Sequence, residues 1–321
     1  MYFLNRFLPG MALCACVIGS VLAQTYPASG STIRVVVPFS AGSGTDMVAR
    51  TVMEELQKSL KTTIVVDNKP GANGAIAAEL VSRAAPDGYT LVLGTSSGWS
   101  TNPWLMKKLS YDPLKDFTPI SRVTYFPFIL VVSAASPIKT LDDFLKRAQS
   151  GGNFAMGYGN ASGQVAGGHL MKGAGFKALS VPYKSTPPAL TDLVGGQFDF
   201  MFVDMASSQG LVQSGRLRAI AVMADRRSEL MPELPALGEK VPGFTFVTWG
   251  GLLGPAGLPP AIVERLNSEM GAILRKQEVK AKMGSLGLEA YPSTAPEFAK
   301  FLSVQLQEWG DKVKDAGIER E

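Results

Sequence analysis

Glycine, serine and threonine cluster in four short loops, at residues 40–46, 94–98, 159–164 and 182–188. Each loop follows a predicted strand, and a predicted helix begins after three of them. Backbone N–H groups point outward together at a helix start, where the helix dipole favours an anion by about 0.3–1 kcal/mol. Loops of this composition therefore predict binding of a carboxylate or phosphate through amide and hydroxyl donors.

The first loop, residues 40–46, reads Ser-Ala-Gly-Ser-Gly-Thr-Asp. Its glycines allow close approach of the backbone to a ligand, and its hydroxyl groups can donate hydrogen bonds. It is not a dinucleotide fingerprint, because Met47 stands where the third glycine would be, and no Gly-Lys-Ser/Thr follows to make a P-loop. A plain tight turn remains an alternative, and Asp46 could either cap its own helix or orient a ligand group.

The second loop, residues 94–98, matches the G-x-S-x-G pattern of a nucleophile elbow, with Ser96 as the serine. A serine nucleophile needs a base, and His169 is the single histidine of the chain. His169 lies in a glycine-rich helical stretch in the middle of the chain, whereas α/β-hydrolases place their histidine near the C-terminus. We therefore expect a hydroxyl-lined binding loop rather than an enzyme, and a secreted serine hydrolase remains the alternative.

The second half of the chain adds two charged candidates. Lys184 could pair with an anionic ligand, although exposed lysines are common. Asp204 follows the predicted strand 198–203, at the carboxyl end where α/β sheets bind ligands. With one histidine, and no HExxH or calcium-loop pattern, we expect no metal site and no bound cofactor.

The elements that position these loops form repeated strand and helix units. Strands are predicted at residues 33–37, 63–66 and 90–93, with helical patterns between them, which indicates an α/β fold with parallel sheets. A longer extended stretch at 126–133 opens a second series of such units. A second extended stretch at 244–253 returns the chain to the first series, so we expect two lobes.

The N-terminus predicts export. Arg6 precedes a nearly unbroken apolar run that ends in Val21-Leu22-Ala23, so residues 1–23 resemble a signal peptide cleaved after Ala23, and we expect the mature protein to be exported. The run is shorter than the roughly 20 residues of a spanning helix. Both cysteines, Cys14 and Cys16, lie inside this leader.

The remaining length, with 46% hydrophobic residues in the whole chain, suits two packed domains. We predict a first lobe from residues 24–124 and 248–321 and a second lobe from 125–247. The 31 basic side chains exceed the 27 acidic ones by only four and are scattered, so we expect no nucleic-acid partner.

Several tracts, in one order, resemble the receptor family of tripartite tricarboxylate transporters, also called Bug-type extracytoplasmic solute receptors. The first reads Val-Val-Pro-Phe-Ser-Ala-Gly-Ser-Gly-Thr-Asp at 36–46. The resemblance implies a two-lobed, type II-like Venus-flytrap fold with two crossing strands, in a periplasmic receptor that captures a small mono- or dicarboxylate and delivers it to membrane transporter subunits. We also expect a monomer. A receptor that presents its ligand to a signalling partner remains a further alternative. The other tracts are residues 66–74, 86–90, 111–119, 181–184, 189–196 and 254–260.

The resemblance also implies which residues line the site. The first-lobe wall would contain Phe39, Ala41, Gly42, Ser43, Asp46, Thr95, Ser96 and Asn102. The facing wall would contain Ser162, Gly163, Gln164, Ser185, Thr186 and Asp204. Trp99, Tyr125 and Tyr158 could join Phe39 in an aromatic wall that favours an aromatic acid, or could pack inside a lobe.

Two departures from the family pattern bear on the ligand. The usual second-lobe loop reads Gly-x-Gly-Ser-Ser-x-His, but residues 159–165 end in Val165, and His169 should not inherit the role of the missing histidine. The loop after the Tyr-Lys pair is altered to Ser-Thr-Pro-Pro at 185–188. We therefore expect that the ligand can differ from those of the common receptors.

Overall fold

A computed structural model describes residues 26–228 and 231–320. Eleven strands are found in these residues. In chain order they are β1 (Thr32–Val37), β2 (Thr63–Asn68), β3 (Thr90–Thr95), β4 (Phe117–Tyr125), β5 (Phe128–Ser133), β6 (Ala155–Tyr158), β7 (Leu179–Pro182), β8 (Phe200–Asp204), β9 (Leu217–Val222), β10 (Trp249–Pro255) and β11 (Glu289–Ala290).

The α-helices of the described residues alternate with these strands. None of them is long and apolar enough to cross a membrane. They are α1 (Gly44–Leu60), α2 (Ala75–Ser82), α3 (Asn102–Leu105), α4 (Leu141–Gln149), α5 (Ala161–Ala174), α6 (Thr186–Val194), α7 (Met205–Gln213), α8 (Pro260–Arg275), α9 (Gln277–Ser285) and α10 (Ala295–Ala316).

The strands form two sheets, and we call the part of the chain built on each sheet a lobe. The first lobe has the strand order β11-β4-β10-β3-β1-β2, and the second lobe has the order β7-β6-β8-β5-β9. This α/β architecture with two sheets confirms the predicted fold class. The lobe boundaries in sequence remain a prediction, with β4 ending at Tyr125 and β5 beginning at Phe128.

The sheets are mixed, which corrects the expectation of parallel sheets. β1 runs parallel to β2 and β3, and β6 runs parallel to β7 and β8. By contrast, β10 is antiparallel to β3 and β4, and β5 is antiparallel to β8 and β9. The antiparallel strands β5 and β10 are those the chain enters directly after crossing from the other lobe, so no crossover helix sets their direction.

Local sequence explains why the first strand and helix form. The β-branched residues of β1 include Ile33, Val35 and Val37, which are fully buried. The Ser43 hydroxyl then caps α1 by accepting the Asp46 N–H at 3.3 Å. The capped helix therefore begins directly at the edge of the sheet where β1 ends.

The two chain crossings lie side by side and are hydrogen-bonded to each other. The Phe126 N–H donates to the Thr248 carbonyl at 2.9 Å, and the Thr248 hydroxyl donates back to the Phe126 carbonyl. Both residues are buried. This reciprocal pair joins the two connecting segments where they pass between the lobes.

The long helix α10 is a third link between the lobes. It packs on β4 and on a π-helical turn, Ser97–Thr101, in the first lobe, and on α5 in the second. Its Trp309 is fully buried and donates its indole N–H to the Val247 carbonyl at 3.3 Å. The second crossing is thus held against this helix.

Candidate functional site

The predicted loops meet in a small cavity of about 30 Å³ between the lobes. Larger cavities occur elsewhere, such as one of about 490 Å³ beside α7 and β9, but that cavity lies within the second lobe and receives none of the predicted loops. We therefore take the interlobe cavity as the candidate site. Its walls are formed by Phe39, Ser43, Thr45, Thr95, Ser96, Ser97, Phe126, Phe128, Asn160, Ser162, Thr186, Asp204 and Thr248.

Strand ends and helix starts create this cavity. The carboxyl ends of β1, β3, β6 and β8 point toward it, and α1, α5, α6 and α7 begin there with the caps Ser43, Asn160, Ser185 and Asp204. Crevices at the carboxyl ends of α/β strands are the usual ligand sites of such sheets. Both lobes present this edge to the same space.

A cluster of serine hydroxyls crosses the cleft. The Ser162 Oγ of the second lobe lies 3.0 Å from Ser96 Oγ and 3.1 Å from Ser97 Oγ, and the Ser162 N–H donates to Ser97 Oγ at 3.2 Å. A hydroxyl can both donate and accept, so these groups can reorient toward a ligand oxygen. The cluster therefore joins the lobes and offers donors at the same point.

Thr95 adds a hydroxyl that is buried and has no hydrogen-bond partner within the protein. Buried polar atoms are usually paired, and the Thr95 hydroxyl in the cavity wall is free to hydrogen-bond a group in the cavity. Thr95 is the last residue of β3, directly before the serine pair. A ligand oxygen in the cavity would satisfy it.

Aromatic rings close the remaining wall. Phe39, Phe126 and Phe128 line the cavity, and each is less than a tenth exposed. Of the predicted aromatic candidates only Phe39 lies here. Trp99 packs instead in the first-lobe core, with its ring 4.9 Å from that of Phe117.

The cavity has one ionisable residue in its wall and no lysine, arginine or histidine among the residues that line it. That residue is Asp204, and burial raises the pKa of its carboxyl, against the opposing effect of hydrogen bonds from Ser207. Any anion bound here would be held by neutral donors. Lys184 is exposed and does not line the cavity.

The structure brings half of the predicted site residues together and places the rest outside the cavity wall. Ala41 and Gly42 are exposed, Gln164 is half-buried, and the Gly163 N–H donates to the Asn160 side chain. The amide of Asn102 donates to the carbonyls of Ala72 and Asn73. Ligand binding by the predicted residues remains a prediction. The predicted residues that line the cavity are Phe39, Ser43, Thr95, Ser96, Ser162, Thr186 and Asp204.

Asp46 stabilises the loop rather than lining the cavity. Burial acts to raise the pKa of its carboxyl, but hydrogen bonds from Arg50, the Gly42 N–H and Asn68 outweigh burial and hold the pKa below its ordinary value. The Arg50 guanidinium makes two contacts of 3.0 Å, one to each carboxylate oxygen. Because Ser43 is the N-cap of α1, these contacts support a role for Asp46 as a first-turn acid that stabilises its own helix and loop.

Asp46→Asn should therefore lower the free energy of unfolding by about 1–3 kcal/mol at pH 7, because it weakens charge-assisted hydrogen bonds. A depressed folded-state pKa contributes stability above the unfolded value, near 3.9, and this stability is lost as the pH falls through the folded value. Urea titrations should show the difference from wild type shrinking below pH 4. Asp311→Asn, at an exposed position of α10, is the control, and a difference independent of pH would contradict this prediction.

Sequence reasoning missed several residues of the wall. Thr45, Ser97 and Asn160 lie inside the loops that the composition had singled out, so taking each loop as a whole would have included them. Phe126 and Thr248 lie at the two chain crossings, and Phe128 begins β5. No motif marks these three residues, and the sequence indicated them only through the two extended stretches, 126–133 and 244–253, in which they lie.

Ser96 and His169, the nucleophile and the base of the hydrolase alternative, contact different residues. The Ser96 hydroxyl contacts Ser162, as described, and the His169 ring packs against Phe244 and Phe246 at centroid distances of 5.2 and 5.5 Å. Burial lowers the pKa of His169, with Asp315 opposing. The described residues, 26–228 and 231–320, include no group of three or more His, Cys, Asp or Glu that could hold a metal.

Solved structures share this fold over nearly the whole chain. The R. palustris protein Rpa4515, solved with adipate, is 28% identical with a TM-score of 0.88, and the match covers 90% of this chain and 98% of that one. The periplasmic binding protein BugD is 31% identical with a TM-score of 0.86 and covers 90% and 99%. MatC from Rhodopseudomonas palustris, with bound malate, is 31% identical with a TM-score of 0.83 and covers 88% and 98%. The fold is that of periplasmic solute-binding proteins.

Sequence comparison gives the family. The model described as tripartite tricarboxylate transporter family receptor matches residues 48–318, and the chain belongs to that family. A UPF0065 protein of Bordetella bronchiseptica is 33% identical over 307 residues, which are 95% of this chain and 91% of that protein. Protein BugT of Bordetella pertussis is 31% identical over 311 residues, with 94% of each chain covered. The predicted resemblance is confirmed. The predicted signal peptide, residues 1–23, lies outside the described residues.

Proposed function

We propose that this chain is an exported receptor that binds a small carboxylate between its lobes and presents it to a membrane transporter. The observation that carries the proposal is the interlobe cavity, whose neutral hydroxyl donors include the orphaned Thr95 hydroxyl. The solved relatives with adipate and malate support a carboxylate ligand. The family to which the chain belongs supports periplasmic location and a transporter as the partner.

The cavity chemistry narrows the class of acid. Three phenylalanine rings form part of the wall, and no basic side chain is available there to neutralise a carboxylate. Micromolar affinity corresponds to about −8 kcal/mol, which several hydrogen bonds to a charged oxygen can supply once desolvation is subtracted. We therefore favour an acid with an apolar body, aliphatic or aromatic, over a densely hydroxylated one.

The test is a thermal-shift panel of aliphatic and aromatic mono-, di- and tricarboxylates on the chain that begins at Gln24. We expect one acid to raise the melting temperature by several degrees and its amide to have no effect. Thr95→Val removes the unpaired hydroxyl but keeps the side-chain shape, and it should lower the affinity for that acid by about five- to tenfold. Thr191→Val on the exposed face of α6 is the matched control.

Two outcomes would overturn the proposal. If no carboxylate in a broad panel shifted the melting temperature, the ligand class would be wrong. If an ester were hydrolysed and Ser96→Ala abolished the turnover, the chain would be a hydrolase. Uptake of the labelled acid by cells with and without the receptor then distinguishes a transporter partner from a signalling partner.

A further inference from the structure

Side chains of the second lobe meet the N-terminus of α1 in the first lobe. The Gly44 N–H, at the first helical position, donates to Ser207 Oγ at 2.8 Å. The Ser207 hydroxyl lies 2.8 Å from both carboxylate oxygens of Asp204, to which it donates, and the Ser207 N–H donates to Asp204 Oδ1 at 2.8 Å. One chain of hydrogen bonds therefore runs from the α1 backbone to a buried carboxyl of the other lobe.

The two lobes approach each other closely at this contact. A methyl group built on Gly44 would lie 2.1 Å from Asp204 Oδ1, a separation that no real contact allows. Only glycine permits the carboxyl group to reach the start of the helix. The first-turn amides of a helix and its dipole favour a negative group at this position.

Other amides of the first loop also have protein partners. The Ser40 N–H donates to Ser185 Oγ across the cleft at 3.1 Å, and the Gly42 N–H donates to the Asp46 carboxylate at 3.0 Å. The Ser43 N–H group donates within the loop to the Ser40 carbonyl. The loop amides thus hold the lobes together and shape the loop, while the serine cluster and Thr95 remain as donors facing the cavity.

We propose that Asp204 and Ser207 form a latch that docks on the N-terminus of α1 and stabilises the closed receptor without ligand. Asp204 is then a positioning residue of closure, and the ligand is held by the hydroxyl donors beside it. The latch sets the fraction of receptor molecules that are closed before ligand binds, so it changes the affinity for every ligand by the same factor. Its role in affinity rests on the proposed function, whereas its effect on closure does not.

The experiment measures closure without ligand. Cys14 and Cys16 precede Gln24, so a chain that begins there has no cysteine of its own. Lys108→Cys and Lys184→Cys place one spin label on an exposed position of each lobe. Pulsed electron paramagnetic resonance then gives the distance distribution between the lobes.

We expect wild type to show a closed population that falls at least threefold in Ser207→Ala, which removes the bridging hydroxyl, and in Gly44→Ala, which inserts a methyl against Asp204. Matched controls at exposed positions are Gly210→Ala in α7 and Ser214→Ala at the C-cap of α7, and a methyl on Gly210 meets no atom within 4 Å. Circular dichroism checks folding, and Ser207→Ala decides the test if Gly44→Ala does not fold.

A wild-type distribution with only the open distance, or an unchanged closed population in Ser207→Ala, would overturn the latch. Where the panel has identified an acid, both variants should lower the affinity for it by the same factor by which the closed population falls. A loss of affinity for one acid alone would show that Asp204 or Ser207 contacts the ligand instead. If closure responds as expected but no carboxylate binds, the latch stands and the proposed function fails.

Discussion

Replacing Gly159 with alanine should lower the free energy of unfolding by about 2–3 kcal/mol, near the upper end for overpacked sites. A methyl group there would lie 2.4 Å from the Thr186 backbone nitrogen and 2.5 Å from the Ser185 carbonyl carbon. Both obstacles are backbone atoms, which cannot rotate away as the end of a side chain can. Relief therefore requires the start of α6 to move away from the start of α5.

That movement would also separate two walls of the site. Gly159 immediately precedes the Asn160 cap of α5, and Thr186 is the first residue of α6. Asn160 and Thr186 both line the cavity, with the Asn160 amide donating to the Thr186 hydroxyl at 3.5 Å. We therefore expect Gly159→Ala to lose the thermal shift by the preferred acid even at temperatures where the variant is folded.

Urea titration followed by circular dichroism measures the loss of stability, and the ligand panel measures the loss of binding. Gly195→Ala is the matched control, because its φ of −75° suits alanine and its nearest contact, at 3.5 Å, is ordinary. A Gly159→Ala variant as stable as the control would show that the two loops can separate freely. The close contact would then have no role in shaping the site.

The parts of the site that sequence could predict are those with a local signal. The strand, loop and helix at residues 32–60 were predictable because a β-branched run, a glycine-rich turn and an amphipathic pattern follow each other directly. The same holds for the hydroxyl residues Ser96 and Ser162, whose loops stand out by composition. Neither prediction depends on a contact between distant parts of the chain.

The features that the sequence did not predict depend on contacts between distant parts of the chain. β4 contains Pro119, which argues against a central strand, yet Pro119 pairs with Leu253 of β10 where the register shifts, and proline is tolerated at such an irregularity. The contact between Gly44 and Ser207 spans 163 residues, and no motif marks Ser207. Trp99 was placed among possible wall residues, but the π-helical turn that carries it packs on α10 and β3 and lies in the core.

The second large effect is expected at Trp309, where α10 meets the crossing back to the first lobe. Trp309→Ala should lower the free energy of unfolding by about 3–5 kcal/mol, since it empties a fully buried site. The indole donates to the Val247 carbonyl, and its ring packs on that of Phe246 at a centroid distance of 5.4 Å. Its loss should therefore also free the segment 244–248.

Hydrogen exchange separates this local effect from a general loss of stability. In Trp309→Ala the amides of residues 244–248 should exchange faster by a larger factor than those of β1, because the side chain that holds the crossing is gone. Trp104→Ala is the comparison: the Trp104 indole donates to the Leu306 carbonyl of the same helix, but this side chain is only half-buried. If both variants accelerated exchange equally at 244–248 and in β1, α10 would stabilise the whole molecule without a particular hold on the crossing. If only Trp309→Ala acts at 244–248, the motion between the lobes is constrained by α10 as well as by the two connecting strands.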